Sequence, residues 1–373
     1  MDTLLDYIQW MGDFPIEATG FREMDAVVLC VIGYYDLAPI FSREGEVHTV
    51  RDCLRMLEEG QARILITGKD MGYDRILSLA ASSRRYGELK MTDYVDLVRS
   101  EPPLQFSALC FHDGGRDSFL VYRGTDNTLV GWEEDFMISF QRTEAQGLAL
   151  SYAQGHLHRD RNWFMMGHSK GGNLALYTAC LLDDDTLEAL EHIYLLDAPG
   201  LCPEVVDPSR LERIDPRVTR MMPQFSIIGK LFEAKFSDTR IVHSSASGLM
   251  QHSLASWCVD HGRPAAEEEF SPRSLWLNGV FNAWLADMSP EERSAMTHDL
   301  FDALAAGGAQ TLNELENLGP EGLEPILRSL ANASDAAKRA LAALPYRMMQ
   351  MGLQIPLFLR RETREEEKEE QTV

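Results

Sequence analysis

The chain is short of positive charge: 35 lysines and arginines stand against 58 aspartates and glutamates, a formal net charge of -23. That deficit argues against a protein that tracks phosphate backbones, and it repels anionic membrane surfaces rather than seeking them. Long apolar runs are missing as well. The longest, Ala26 to Tyr35, is far too short to span a bilayer. The first residues, Met1-Asp-Thr-Leu-Leu-Asp-Tyr-Ile, show no basic region leading into an apolar stretch and a small-residue cleavage site, so no secretory signal is expected. The six cysteines, at 30, 53, 110, 180, 202 and 258, include no CxxC pair, which disfavours a structural zinc or redox motif and fits reduced thiols in a cytoplasm. His156 and His158 have no carboxylate or cysteine companions at ligand spacing and read as a helix end. No cofactor and no metal is expected.

What remains is ordinary in bulk and specific in detail. With 373 residues, 45% hydrophobic and 25% charged, the chain suits a single α/β core carrying insertions or one small appendage. Its most informative stretch is Asn162-Trp-Phe-Met-Met-Gly-His-Ser-Lys-Gly-Gly-Asn-Leu-Ala-Leu176, which reads as strand, sharp turn and helix with Ser169 at the bend. A serine that attacks an acyl carbon must project from a strained tight turn, and small residues two positions either side let strand and helix pass. Gly167 and Gly171 supply that space, and Gly172 adds to it.

A serine needs an acid and a histidine, which in this kind of fold follow it in the order Ser, Asp/Glu, His. His192-Ile-Tyr-Leu-Leu-Asp197-Ala-Pro-Gly200 is an apolar strand ending in an aspartate at a turn, and Asp197 is the candidate acid, with Asp207 and Asp238 as rivals. For the base, His252 in Gly248-Leu-Met-Gln-His252 follows the strand-like Arg240-Ile-Val-His243. His243 and His261 are its competitors. Acyl transfer also needs donors aimed at the developing oxyanion. One should be the backbone N–H of Lys170, after the nucleophile. The second comes from the turn Arg123-Gly124-Thr125-Asp126 after the apolar Phe119 to Tyr122, which offers the Thr125 N–H and hydroxyl.

These motifs, Arg123-Gly124-Thr125, then Trp132 and Asp135, then Gly167-His168-Ser169-Lys170-Gly171-Gly172, resemble the ordered motifs of the lipase class 3 branch of α/β-hydrolases. The likeness runs from about Phe106 to Trp257. Within it, Lys170, Asn173-Leu174-Ala175 and Gln251-His252 are similar to an uncharacterised bacterial subgroup. The resemblance implies an oxyanion-hole role for Thr125. Two departures stand out: many class 3 lipases carry a hydrophobic residue where Lys170 stands, and they place the acid near the position of Phe225-Ser-Ile-Ile-Gly229. Asp197 sits instead where pancreatic-type lipases carry theirs.

The expected architecture is α/β, an α/β-hydrolase fold with a mostly parallel sheet, a helical N-terminal layer and a C-terminal helical appendage. Residues 1–271 form the hydrolase domain, with the first hundred mostly helical and the sheet beginning near Phe106. Strands are expected at Phe106 to Phe111, Ser118 to Tyr122, Trp163 to Met166, Ile193 to Leu196, Phe225 to Ile228 and Arg240 to His243. The proline-punctuated excursion 198–224, with Met221-Met222, reads either as a surface connection or as a lid or acyl-binding wall. Residues 272–350 are expected to be helical, with Ser289-Pro290-Glu291-Glu292 as a helix start, and 351–373 to be a charged tail. The implied function is a serine hydrolase of carboxylic esters, lipids or thioesters among them, acting on a small-molecule acyl ester without nucleic acid or a transmembrane segment. An acyltransferase using the same acyl-enzyme, or an inert binding or scaffold protein on a hydrolase fold, are the alternatives.

Overall fold

The computed structural model describes residues 1–43, 45–59, 72–126, 128–309, 320–340 and 342–343. Its strands are β1 (His48–Thr49), β2 (Lys90–Arg99), β3 (Leu104–His112), β4 (Asp117–Tyr122), β5 (Asn162–His168), β6 (Leu190–Leu196), β7 (Val218–Pro223), β8 (Asp238–Val242) and β9 (Ala266–Glu267). They lie side by side in that order. From β4 to β8 every pairing is parallel, while β1 to β4 and the β8–β9 pair are antiparallel. Period-two alternation sorts the strand side chains between two cores. Phe119 and Val121 of β4 and Tyr194 and Leu196 of β6 join one, whereas Leu120, Tyr122, Ile193 and Leu195 join the other.

The helices α1 (Leu4–Met11), α2 (Glu23–Ile32), α3 (Val50–Glu58) and α4 (Tyr73–Ser82) contribute to the first core. The second is built with α5 (Leu129–Met137), α6 (Glu144–His156), α7 (Lys170–Leu181) and α8 (Pro208–Ile214). This sheet with helices on both faces is an α/β-hydrolase fold. Helix α2 contains most of the longest apolar run of the chain, and every residue from Met24 to Ile32 is buried. A helix apolar on all sides is one sandwiched between layers.

Three expectations are corrected. The sheet begins with β1 and β2 rather than near Phe106, because β2 reads Lys-Met-Thr-Asp-Tyr-Val-Asp-Leu-Val-Arg, a half-exposed strand whose alternation is interrupted. The register shifts between Thr92 and Val95, with Asp93 at φ 57°, the mark of a β-bulge. The strand expected at Phe225 to Ile228 is instead β7, several residues earlier, and 225–228 is a turn. Arg220 and Pro223 hide β7 from a search for apolar runs, yet Arg220 is 2% exposed and gives its guanidinium to the carbonyls of Ala234, at 2.7 Å, and Gly229. Finally, 198–224 is no continuous lid: it holds α8 and β7, and Met221 and Met222 lie in the sheet, fully buried.

The C-terminal helices are α9 (Pro272–Ala286), α10 (Pro290–Ala306) and α11 (Pro320–Asn332). Helix α10 starts as its sequence requires, the Ser289 hydroxyl accepting the Glu292 N–H at 3.2 Å while the Glu292 carboxylate takes the Ser289 N–H at 3.1 Å. Trp284, Leu285, Met288 and Met296 form a small core of their own with Ala337, against which Leu231 and Phe232 of the main body pack. No helix among the described residues is long and apolar enough to cross a membrane. Of the region 272–350 expected to be helical, residues 310–319, 341 and 344–350 fall outside the described residues, as does the whole of the expected charged tail 351–373.

Candidate active site

Ser169 stands between β5 and α7 at φ 56°, ψ -128°, a conformation that side-chain-bearing residues rarely adopt. Its surroundings hold it there. The Ser169 N–H donates to the Leu196 carbonyl at 2.9 Å, and its carbonyl accepts from the N–H groups of Gly172 and Asn173 at 3.0 and 3.2 Å. The glycines on either side answer to close approach: a Cβ on Gly167 would overlap the backbone of Gly171, and one on Gly171 would overlap the Tyr122 carbonyl. Strand, turn and helix are thus locked into an elbow that leaves the serine side chain at the carboxyl edge of the sheet.

Asp197 follows β6 directly and is itself at φ 43°, its N–H bonded to the Met221 carbonyl at 2.7 Å. One carboxylate oxygen, Oδ2, lies 2.6 Å from Nδ1 of His252. The other accepts the Ser226 hydroxyl at 2.5 Å. The Asp197 carboxylate is sealed, with 1% of its side chain exposed, while the imidazole keeps 26% and stays open to solvent. The rivals are engaged elsewhere. Asp207 caps α8 through Ser209, Asp238 binds Arg240 and Thr219, His243 pairs with Glu267, and His261 is exposed beside Asp260. Among the described residues no hydrogen bond joins the Ser169 hydroxyl to His252, so the expected three-residue chain is present on its acid–base side.

Lys170 follows the serine directly, Gly124 before Thr125 packs against the His168 carbonyl, and neither the Thr125 nor the Lys170 backbone N–H is spent on another group among the described residues. The Thr125 hydroxyl donates to Asp135 Oδ2 at 2.9 Å, and burial pushes the Asp135 carboxyl pKa up. The Lys170 side chain turns away from the site. It is wholly buried, with Nζ 2.5 Å from Glu134 Oε2, 2.7 Å from the Gln105 carbonyl and 3.2 Å from Gln105 Oε1. Its cation is therefore a buried structural group, paired with Glu134. Arg123, beside Thr125, is likewise committed, bidentate to Asp96 of β2 at 2.8 and 2.9 Å.

Several supporting residues escaped the sequence reading. Ser226 was taken for a strand residue, yet its hydroxyl holds Asp197 and its carbonyl accepts from Ser274 at 2.6 Å and Asn278 at 2.7 Å, both on α9. The neighbouring Gly229 carries the signal that could have found it, because a Cβ there would collide with the Asp197 carboxylate. Asn173 of the Gly-Gly-Asn run bonds the carbonyls of Pro199 and Gly200, at 3.2 and 3.0 Å, and so fixes the turn after Asp197. His168 reaches the His252 carbonyl at 2.9 Å through Nε2.

Chemically the arrangement offers a strained serine, a carboxylate-held imidazole and two free backbone donors. No cluster of three or more potential metal ligands occurs among the described residues. A family model described as Mbeg1-like matches residues 80–302, more than half of the chain. Among solved structures the chain is similar to one described as the crystal structure of M37 lipase, at 12% identity, with 87% of this chain and 99% of that chain covered and a TM-score of 0.36. No curated protein matches the chain.

Proposed function

The chain belongs to the Mbeg1-like family, and from that premise we propose that it is a serine hydrolase of carboxylic esters working through an acyl-enzyme on Ser169. The observation that carries this reading is the 2.6 Å link between Asp197 and His252 beside a serine held at φ 56°. In the first half of the reaction His252 takes the Ser169 proton as the oxygen adds to the ester carbonyl. Asp197 stabilises the imidazolium and fixes its ring through Nδ1. The proton passes to the departing alkoxide, and the acyl group stays on the serine. Water then gives its proton to His252, adds to the acyl carbon and releases the acid, while Ser169 recovers its proton. The N–H groups of Thr125 and Lys170 stabilise both oxyanions, and Asp135 holds the Thr125 side chain in place.

Labelling with a fluorophosphonate tests the serine directly. The wild-type chain should react and Ser169→Ala should not, with hydrolysis of p-nitrophenyl acetate lost in the same variant by several orders of magnitude. A folded wild type that neither labels nor turns over ester would leave the inert binding protein as the reading. Transfer of the acyl group to an added alcohol at the expense of hydrolysis would make the chain an acyltransferase.

A further inference from the structure

The C-terminal helices do more than extend the fold. An apolar cavity of about 120 Å³ lies where α5, the turn after Asp197, the 227–232 segment and α9 meet. Its wall on one side is Trp132, Asp135 and Phe136, and on the other Phe281, Trp284 and Leu285, with Ile227 and Ile228 between them. We propose that this cavity receives the acyl chain of the ester, and that α9 sets which chain lengths are accepted. The proposal rests on the serine-hydrolase reading above and deepens it.

Position argues for it. Asp135, in the cavity wall, holds the Thr125 hydroxyl, and Pro199, also in the wall, is two residues from Asp197. The cavity wall is thus tied by a hydrogen bond to one proposed oxyanion residue, Thr125, and by two positions of chain to the proposed acid. The fourth wall is fixed rather than adventitious. Helix α9 is bonded to the segment it covers through Ser274 and Asn278 to the Ser226 carbonyl, and through Asn282 to the Phe232 N–H at 3.2 Å and the Lys230 carbonyl at 3.1 Å. The Trp284 indole is pinned in turn by the Ala340 carbonyl at 2.8 Å. The same Ser226 whose carbonyl receives α9 holds Asp197 with its hydroxyl, so the chain-binding wall and the acid share one anchor.

Size narrows the ligand. A dry cavity of about 150 Å³ lined by Leu, Ile and Phe takes up benzene, so this one accommodates a linear segment of about six carbons. Branched or ring-bearing acyl groups would need the walls to part.

The test compares p-nitrophenyl acetate, hexanoate and dodecanoate. Burying roughly four more methylenes should favour hexanoate over acetate in kcat/KM by about a hundredfold, and dodecanoate should gain nothing further. Ile228→Trp, which fills the cavity, should erase the hexanoate preference, bringing kcat/KM for hexanoate down to the level of acetate in the same variant. Phe281→Ala should move the optimum toward dodecanoate. Wild type that treats acetate and hexanoate alike, or an Ile228→Trp variant that loses both equally while melting like wild type, overturns the proposal. Binding separates its failure from that of the serine mechanism: hexanamide should bind wild type and Ser169→Ala, by calorimetry, and not Ile228→Trp. Hexanamide binding without any ester turnover would sink the hydrolase and keep the chain pocket. Turnover of acetate without hexanamide binding would do the reverse.

Discussion

The hydroxyl of Tyr34 lies 2.7 Å from Nδ1 of His168, and the ring's other nitrogen settles which of the two donates. A carbonyl can only accept, so Nε2, 2.9 Å from the His252 carbonyl, bears the hydrogen, and Nδ1 accepts from the tyrosine. The tyrosine oxygen also fills the space that a Cβ on Gly124 would need. One hydroxyl from the N-terminal layer thus touches the turn before Thr125 and, through His168, the loop carrying His252. Tyr34→Phe removes one neutral hydrogen bond, worth about 1 kcal/mol, and leaves Nδ1 of the buried His168 ring without its donor. It should lower kcat on p-nitrophenyl hexanoate about tenfold with KM unchanged and the melting temperature nearly so. A KM effect alone, with kcat preserved, would make the contact mere packing.

Asp197 and Ser226 offer a graded test of the acid. Asp197→Asn should keep the fold and lower kcat by on the order of 10³ or more, because an amide cannot hold the reactive tautomer or stabilise an imidazolium. Ser226→Ala removes one of the bonds to the same carboxylate and should cost about tenfold. Since both act through one group, the double variant should be no worse than Asp197→Asn. An additive double variant in steady-state kinetics would show that Ser226 acts by another route.

Much of this site was legible because its chemistry depends on local rules. The Gly167 and Gly171 spacing, an aspartate at the end of an apolar strand, and the order Ser169, Asp197, His252 are written within short segments. The partners of the triad are not, because they come from afar: Tyr34 reaches His168 across 134 positions and Asn278 reaches Ser226 across 52. β7 was missed for a different reason. Its Arg220 is satisfied by carbonyls that no window around the strand contains, so a buried arginine reads as a surface one. Lys170 shows the same limit, its burial being visible only with Glu134 in place.

That ion pair makes its own prediction. Removing one partner of a buried pair leaves an uncompensated charge, at a cost of about 3–5 kcal/mol, so Lys170→Met should lose roughly that much stability in urea denaturation. Glu134 would still accept the Gln105 N–H, at 2.8 Å. Lys170→Met with Glu134→Gln removes the charge and keeps the acceptor, and should recover part of the loss. In the variants that fold, KM for anionic and neutral esters should change alike, because the ammonium never faces the substrate. A selective rise in KM for anionic esters would contradict its burial.

Two histidines held neutral set the acid side of the stability profile. Burial, with the charge of His252 second, keeps the pKa of His168 well below its ordinary value, and burial followed by the Arg161 charge takes His112 down to about 4. In the unfolded chain both titrate near 6.5, as free histidine does. Below about pH 6.5 the unfolded state therefore binds protons that the folded state refuses, and stability falls with falling pH. Above about pH 6.5 neither state binds them, and this contribution to the slope vanishes. For His112 the loss is complete once pH passes about 4, whereas for His168 it continues lower. The Ser118 and Thr92 hydroxyls that flank the His112 ring, both at 2.9 Å, can bond an amide in its place. The urea midpoint of His112→Asn should hence decline less steeply than that of wild type between about pH 6.5 and 4.5, the carboxylates contributing alike to both curves. Parallel curves for the two proteins across that window would mean that His112 is protonated in the folded chain.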